Sequence, residues 1–216
     1  MTGNADLPLA ILISGRGGNM LAIAAACQSG RSGARVARVI ADRIDTLGEV
    51  RARERGLPLS VVARRALADA AQFEQALRQS IEASGARLIA LAGFMRILSA
   101  EFVANFAGRM LNIHPSLLPA FPGLHTHERA LAAGASEHGC SVHVVTSELD
   151  AGPVLLQARV PVLPGDTVAT LAARVTEQEH RVYPQVIEWI AAGRLRIDGA
   201  VPHFDGRPLA QPLRAN

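Results

Sequence analysis

Short apolar segments alternate with helical segments throughout the first half of the chain. Strands are predicted over residues 9–14, 34–41, 57–63, 87–93 and 109–114, and helices over residues 19–30, 47–56 and 69–85. Strands this short and this apolar, separated by amphipathic helices, are typical of a parallel sheet that is covered on both faces. The pattern therefore predicts an α/β fold built on a doubly wound, mostly parallel sheet.

The second half is predicted to add an antiparallel strand pair and a long helix. Residues 139–162 contain two β-rich runs around an acidic turn with Gly152 and Pro153. The helix is predicted over 166–193, with Asp166 as its N-cap and with Pro184 expected to kink or split it. One face of this helix is apolar and carries Val168, Leu171, Val175, Val182, Val186 and Ile190.

No internal repeat and no linker interrupts the pattern, so we expect one domain over residues 1–216. Within it we distinguish an N-terminal half, 1–108, a second half, 109–195, and a weakly patterned tail, 196–216, with room for a short hairpin. The two cysteines, Cys27 and Cys140, are few enough for a reducing cytoplasm and are not spaced as a metal site.

Composition excludes several classes of function. No apolar stretch approaches the roughly 18 residues of a membrane span, and the first residues lack the pattern of a signal peptide. All 22 basic residues are arginine, the net charge is only +3, and no arginine-rich run occurs, so we expect no nucleic-acid surface and no membrane association. Without lysine the chain cannot form a Schiff base with a substrate.

Polar and glycine-rich motifs lie at the ends of two of the predicted strands. The turn with Gly15, Gly17 and Gly18 could bind phosphate through backbone N–H groups, or it could be a plain tight turn; it does not match a dinucleotide or P-loop motif. Asn112 and His114 alternate on the fifth strand and should face the same side. Ligands gather at the carboxyl ends of parallel strands, so this edge of the sheet is the predicted site.

The chemistry of these residues favours acyl transfer, although a simpler interpretation stays open for each. An asparagine amide can donate to an oxyanion, and a histidine can move a proton near neutral pH; His114 could equally be a core histidine bonded to the backbone. A carboxylate of the acidic turn, Glu148 or Asp150, would favour a protonated histidine beside it. His125 and His127 could suggest a metal, but no third ligand has a convincing spacing, and we expect none.

Five segments resemble the folate-dependent phosphoribosylglycinamide (GAR) formyltransferases of the 10-formyltetrahydrofolate formyltransferase superfamily: ISGRGGN, LAGFMRIL, LNIHPSLLPAFPGLHTHERAL, GCSVHVVTSELDAGPVLLQ and RVTEQEHRVYP. The resemblance covers about residues 8–195. It implies a Rossmann-like formyltransferase fold and transfer of the formyl group of 10-formyltetrahydrofolate to the amine of GAR in purine biosynthesis. It also implies small-molecule partners, no metal, a cytoplasmic location, and a monomer or homodimer.

The resemblance assigns roles to individual residues. Asn112, His114 and Asp150 would be catalytic, with Asn112 and protonated His114 stabilising the oxyanion. The GAR site would comprise Gly17, Gly18, Asn19, Thr176, Glu177, Gln178 and Glu179. The folate site would comprise Met95, Arg96, Ile97, Leu98, Asn112, Thr146, Ser147, Glu148, Leu149 and Asp150. The resemblance further predicts a cis peptide bond at Leu118–Pro119.

Two positions depart from the sequence pattern of the family. Ala70 stands where the family usually has an arginine for the folate tail, for which Arg64 or Arg65 could substitute. Arg43 stands where a lysine is frequent.

Three other functions are compared with this one. A methionyl-tRNA formyltransferase would need a further RNA-binding domain, and a formyltetrahydrofolate deformylase usually carries a regulatory domain. A non-catalytic nucleotide-binding module would have no use for Asn112, His114 and Asp150.

Overall fold

The computed structural model describes residues 6–198 and 201–215. Its helices are α1 (Gly18–Gln28), α2 (Leu47–Glu54), α3 (Ala70–Ala83), α4 (Ala100–Asn105), α5 (Thr126–Ala132) and α6 (Val168–Ala191), with a short 3-10 helix at Arg64–Ala66. Its strands are β1 (Leu7–Ile13), β2 (Ala34–Ala41), β3 (Leu59–Val61), β4 (Leu88–Leu91), β5 (Met110–His114), β6 (Glu137–Val144), β7 (Val154–Pro161), β8 (Leu195–Asp198), β9 (Val201–Phe204), β10 (Arg207–Pro208) and β11 (Leu213–Arg214).

Eight strands form one sheet in the order β11-β7-β6-β5-β4-β1-β2-β3. The strands from β1 to β5 pair in parallel, whereas β6 pairs antiparallel with β5 and with β7. The predicted mostly parallel sheet and the antiparallel pair are confirmed. The chain order reverses next to β1, which brings the carboxyl ends of β1, β4 and β5 together at one edge.

The strands are apolar because both faces of the sheet are covered. One buried cluster joins the sheet to α1 and α6, and a second joins the other face to α3 and α4. β3 is shorter than predicted, since it is an edge strand that pairs only with β2, over three residues. The helices α4 and α5 had no periodic pattern long enough to predict them.

The long helix α6 differs from its prediction in its N-cap, in the exposure of Val168 and in the effect of Pro184. Thr167, not Asp166, is the N-cap, because the Asp166 carboxylate is bonded to Arg174 and to the Leu163 N–H. Val168 is exposed rather than buried. Pro184 lies inside a helix that stays unbroken, and the buried side chains on either side of it, Tyr183 and Val186 among them, explain why packing outweighs the lost hydrogen bond.

The tail contains the predicted hairpin, and its turn lies outside the described residues. β8, β9 and β10 form a small antiparallel sheet, and β11 then joins the main sheet beside β7. Within the described part of the chain, no helix is both long and apolar enough to cross a membrane.

Candidate active site

The glycine turn after β1 places a helix N-terminus at the edge of the sheet. Gly17 is the N-cap of α1 and has a left-handed φ of 73°, and a Cβ there would lie 2.9 Å from the Cα of Gly48. Glycine is therefore required at this position on both conformational and steric grounds. The N–H groups in the first turn of α1 point along the helix axis at its positive end, an arrangement that attracts anions.

A buried carboxylate from α6 lies beside this turn. Asn19 Nδ2 donates to Glu179 Oε2 at 2.8 Å, and burial raises the pKa of the Glu179 carboxyl, while the bond from Asn19 opposes that shift. Among the predicted α6 residues, Glu179 is the one that reaches Asn19. Glu177 is exposed, and Gln178 accepts a bond from Arg181.

His180 is a residue of this region that sequence reasoning missed. Its Nε2 packs so close to Gly18 that a Cβ on Gly18 would lie 2.9 Å from it. Burial lowers the pKa of His180. His180 Nε2 and Asn19 Oδ1 are buried without a hydrogen-bond partner among the described residues, so this turn retains unused polar groups.

At the end of β5, Asn112 and His114 both line the same cleft, as the alternation predicted. His114 is buried, its Nε2 lies 3.0 Å from the carbonyl oxygen of Phe121, and its Nδ1 lies 3.4 Å from Asp150 Oδ2. Both ring nitrogens thus face acceptors. The doubly protonated imidazolium is the form that suits both contacts.

His143 orients the amide of Asn112. The two residues are paired across β5 and β6, and Asn112 Nδ2 lies 3.1 Å from His143 Nε2. His143 Nδ1 donates to the carbonyl of Val144 at 3.0 Å, and burial lowers the pKa of His143 despite the nearby Asp150. A neutral His143 therefore accepts from Asn112, which leaves the second amide hydrogen of Asn112 for a ligand.

The acidic turn between β6 and β7 carries Asp150 to these residues. Asp150 has a left-handed φ of 53°, and its Oδ2 accepts from the N–H of Gly123 at 2.8 Å. Its Oδ1 lies 3.6 Å from His143 Nε2. The turn requires Gly152, because a Cβ there would overlap the carbonyl of Val144. Asn112, His114 and Asp150, which are far apart in the sequence, are thus brought together.

The segment after β5 folds over His114 and is held by β6 and β7. The Leu118–Pro119 bond is cis, as predicted. Leu118 donates its N–H to Ser141 Oγ at 3.1 Å and accepts from Gln157 Nε2 at 2.8 Å. Of the remaining histidines, His127 contacts His138, and His125 lies 3.2 Å from Glu128. Within residues 6–198 and 201–215, no cluster of three or more His, Cys, Asp or Glu side chains is placed to hold a metal.

The cleft above Asn112 and His114 is large and apolar. Its volume is about 650 Å³, and its wall includes the predicted residues Met95, Arg96, Ile97, Leu98, Thr146, Ser147, Glu148, Leu149 and Asp150. Met95, Ile97, Leu124 and Leu149 expose more than half of their surface at its rim. An apolar cleft of this size with a few polar groups at its floor is suited to a flat heterocyclic ligand. Neither Arg64 nor Arg65 belongs to the lining, and Arg64 donates instead to the carbonyl of Leu67.

Comparison with known proteins points to one family. The family model described as formyl transferase matches residues 7–187. A phosphoribosylglycinamide formyltransferase from Haemophilus influenzae is 42% identical over 208 residues, which cover 96% of this chain and 98% of that protein. The enzyme of the same name from Escherichia coli is 46% identical over 201 residues, covering 93% and 95%.

A solved structure gives the same result for the fold. The phosphoribosylglycinamide formyltransferase of Coxiella burnetii superposes with a TM-score of 0.91 at 46% identity, over 96% of this chain and 99% of that chain. The similarity therefore includes the sheet, α6 and the cleft together rather than one half of the molecule.

Proposed function

The chain belongs to the formyl transferase family, and we propose that it uses Asn112, His114 and Asp150 to transfer the formyl group of 10-formyltetrahydrofolate to the amine of GAR. The single observation that supports this most is the convergence of these three side chains at the floor of the apolar cleft. Formyl transfer to GAR in purine biosynthesis, with a folate-derived donor, agrees with relatives that match nearly the whole chain.

The two substrates would occupy different regions. The phosphate and ribose of GAR would lie at the start of α1, against Gly17, Gly18 and Asn19, with Glu179 and its neighbours 176–178 on the opposite side. The pterin would enter the apolar cleft between residues 95–98 and 146–150. The amine of GAR and the formyl carbon would then meet beside Asn112 and His114. In this assignment the half 1–108 supplies the phosphate site, and 109–195 supplies the catalytic residues.

The reaction requires stabilisation of one oxyanion and transfer of one proton. The amine attacks the formyl carbon, a C–N bond forms, and the carbonyl oxygen becomes negatively charged. Asn112 donates its free amide hydrogen to that oxygen, and the charge of protonated His114 stabilises it. Direct donation from His114 Nε2 requires exchange of its bond to Phe121. Asp150 supports the imidazolium and accepts the amine proton through water. When the oxyanion collapses to a carbonyl, the bond between the formyl carbon and N10 of the folate breaks, and N10 takes up one proton.

The test is an assay of the purified protein with 10-formyltetrahydrofolate, with and without GAR. We expect stoichiometric formation of formyl-GAR and tetrahydrofolate only when GAR is present. Release of formate at the same rate without GAR would instead indicate a deformylase. Absence of either product, with nucleotide binding retained, would indicate a non-catalytic binding module.

A further inference from the structure

The segment between β4 and α4, residues 92–99, has no regular structure and forms one wall of the cleft; we call it the donor loop. Its start is held by two hydrogen bonds of Ser14. The Ser14 N–H donates to the carbonyl of Gly93 at 3.3 Å, and the Ser14 hydroxyl accepts from the N–H of Met95 at 2.8 Å. Its end is fixed at Ser99, whose N–H donates to the Glu74 carboxylate at 2.7 Å.

Between these ends, one ion pair ties the donor loop to the sheet. Arg96 Nε donates to Asp42 Oδ2, and the Asp42 side chain has no exposed surface, whereas 31% of the Arg96 side chain is exposed. The neighbouring Ile97 exposes 86% of its surface. The shape of the exposed part of the loop therefore depends on Arg96.

Asp42 is itself rigidly placed. It is the first residue after β2; its N–H donates to the carbonyl of Ile13 at 3.1 Å, and its carbonyl accepts from Arg64 at 3.0 Å. Its second carboxylate oxygen has no hydrogen-bond donor among the described residues, with Arg43 Nε at 3.6 Å. A buried carboxylate needs a close cation, and Arg96 supplies it. Asp42 does not line the cleft, so it can act on a ligand only through Arg96.

We propose that Asp42 is a positioning residue for the folate donor: through Arg96 it holds residues 95–98 in the shape that receives the pterin. The inference rests on the proposed use of the cleft for 10-formyltetrahydrofolate. Arginine suits this task because its planar guanidinium holds a carboxylate in a defined geometry and stays charged. A loop already held in its bound shape pays less conformational entropy when the ligand enters.

The test compares KM for both substrates in the wild type, Asp42→Asn, Arg96→Gln and the double variant Asp42→Asn/Arg96→Gln. Asp42→Asn should raise KM for 10-formyltetrahydrofolate by about tenfold, the order expected when one more residue must be ordered on binding. KM for GAR should stay within about twofold, and kcat should change less than the folate KM. Because Asp42 acts through Arg96, Asp42→Asn should change the folate KM by no more than about threefold when Arg96 is already glutamine.

Asp45→Asn is the matched control. It makes the same charge change three residues away, on an exposed side chain that plays no part in the cleft, and it should leave both KM values unchanged. If Asp42→Asn does not fold, Arg96→Lys tests the same prediction, since it keeps the charge beside Asp42 but removes the Nε donor. It too should raise the folate KM.

The proposal is overturned if the folate KM stays within twofold of wild type in Asp42→Asn or Arg96→Lys, or if both KM values rise equally. The affinity of the same proteins for tetrahydrofolate, measured by calorimetry, distinguishes this outcome from a failure of the proposed function. A wild type that binds tetrahydrofolate but does not formylate GAR would contradict the function, while the comparison of variants would still decide the role of Asp42.

Discussion

The glycine turn and the apolar cleft lie at the same edge of the sheet but would bind their ligands by different physical means. The turn is small and polar: it offers the N–H groups at the start of α1 and the buried carboxylate of Glu179. The cleft is large and mostly apolar, with exposed side chains such as Ile97 and Leu149 at its rim. An anionic group can be recognised by a few fixed dipoles, whereas a flat heterocycle needs area removed from water.

The two regions also differ in how they are built. The turn follows one strand and requires mainly Gly17, and it contacts α6 through Glu179 and His180. The cleft combines loops after β4, β5 and β6, each held by contacts with another loop or strand, as the bonds of Asp150 to Gly123 and of Arg96 to Asp42 illustrate. Substitutions should therefore separate into those that affect one substrate, the other substrate, or the reaction between them.

The largest effect is expected between the two regions, at His114. His114→Ala removes the positive charge that stabilises the oxyanion and should lower kcat by about a hundredfold or more, with both KM values little changed. The measurement is steady-state kinetics with each substrate varied in turn. His203→Ala, which makes the same change in the small sheet, should behave as wild type. Turnover near the wild-type value in His114→Ala would remove His114 from the mechanism.

Asp150→Asn should have the next largest effect, and its signature is a changed pH dependence. Loss of the carboxylate 3.4 Å from His114 Nδ1 makes the imidazolium less favourable. We expect kcat to drop by about tenfold or more, with a smaller loss at low pH than at neutral pH. Profiles of kcat against pH for the two proteins test this. Parallel profiles would mean that Asp150 does not act through His114.

Glu179→Gln should affect the polar region alone. The glutamine can still accept from Asn19 but carries no charge, so KM for GAR should rise by about tenfold while KM for folate stays constant. A rise in both KM values would show that the two regions do not bind the two substrates independently. Glu177→Gln, an exposed neighbour on α6, distinguishes the loss of this particular carboxylate from a general change in charge.

Glu179→Gln should also change how the stability of the protein depends on pH. Burial raises the folded-state pKa of Glu179, so the folded protein holds this proton more tightly than the unfolded chain does. The wild type therefore loses stability as the pH rises through the folded-state pKa of Glu179, and the glutamine variant does not. Glu179→Gln should melt higher than wild type at neutral pH, and the difference should vanish as the pH falls below the unfolded-state pKa. Melting temperatures measured across the acid range test the sign.

The smallest effect is expected at Ala70, the first residue of α3. Ala70→Arg adds a positive charge at the start of α3, where the family resemblance implies an arginine for the folate tail, and it should tighten binding of polyglutamylated folate about twofold to threefold more than that of the monoglutamate. Ala71→Arg adds the same charge on the next exposed residue of α3 and should not discriminate between the two folates. Equal changes for both folates would show that position 70 does not contact the tail.

Several of these features could be predicted from the chain alone. The apolar strands and the glycines between them follow from local chemistry, because a strand covered on both faces must be apolar and Gly17 must adopt a positive φ. The alternation on β5 also placed Asn112 and His114 on one side. The cap of α6 was predicted one residue early, since no local signal shows that Arg174 takes the Asp166 carboxylate.

Thus the sequence by itself indicated a mostly parallel sheet, the chain order of its five parallel strands and of α1, α2, α3 and α6, and the residue types at its carboxyl edge. Only the tertiary structure decided which of those residues meet. His143 orients Asn112, Asp42 holds Arg96, and Glu179 reaches Asn19 across 160 residues of chain. The reason is physical: periodicity records which face of an element is buried, whereas a contact between a side chain and a distant partner depends on how the elements pack.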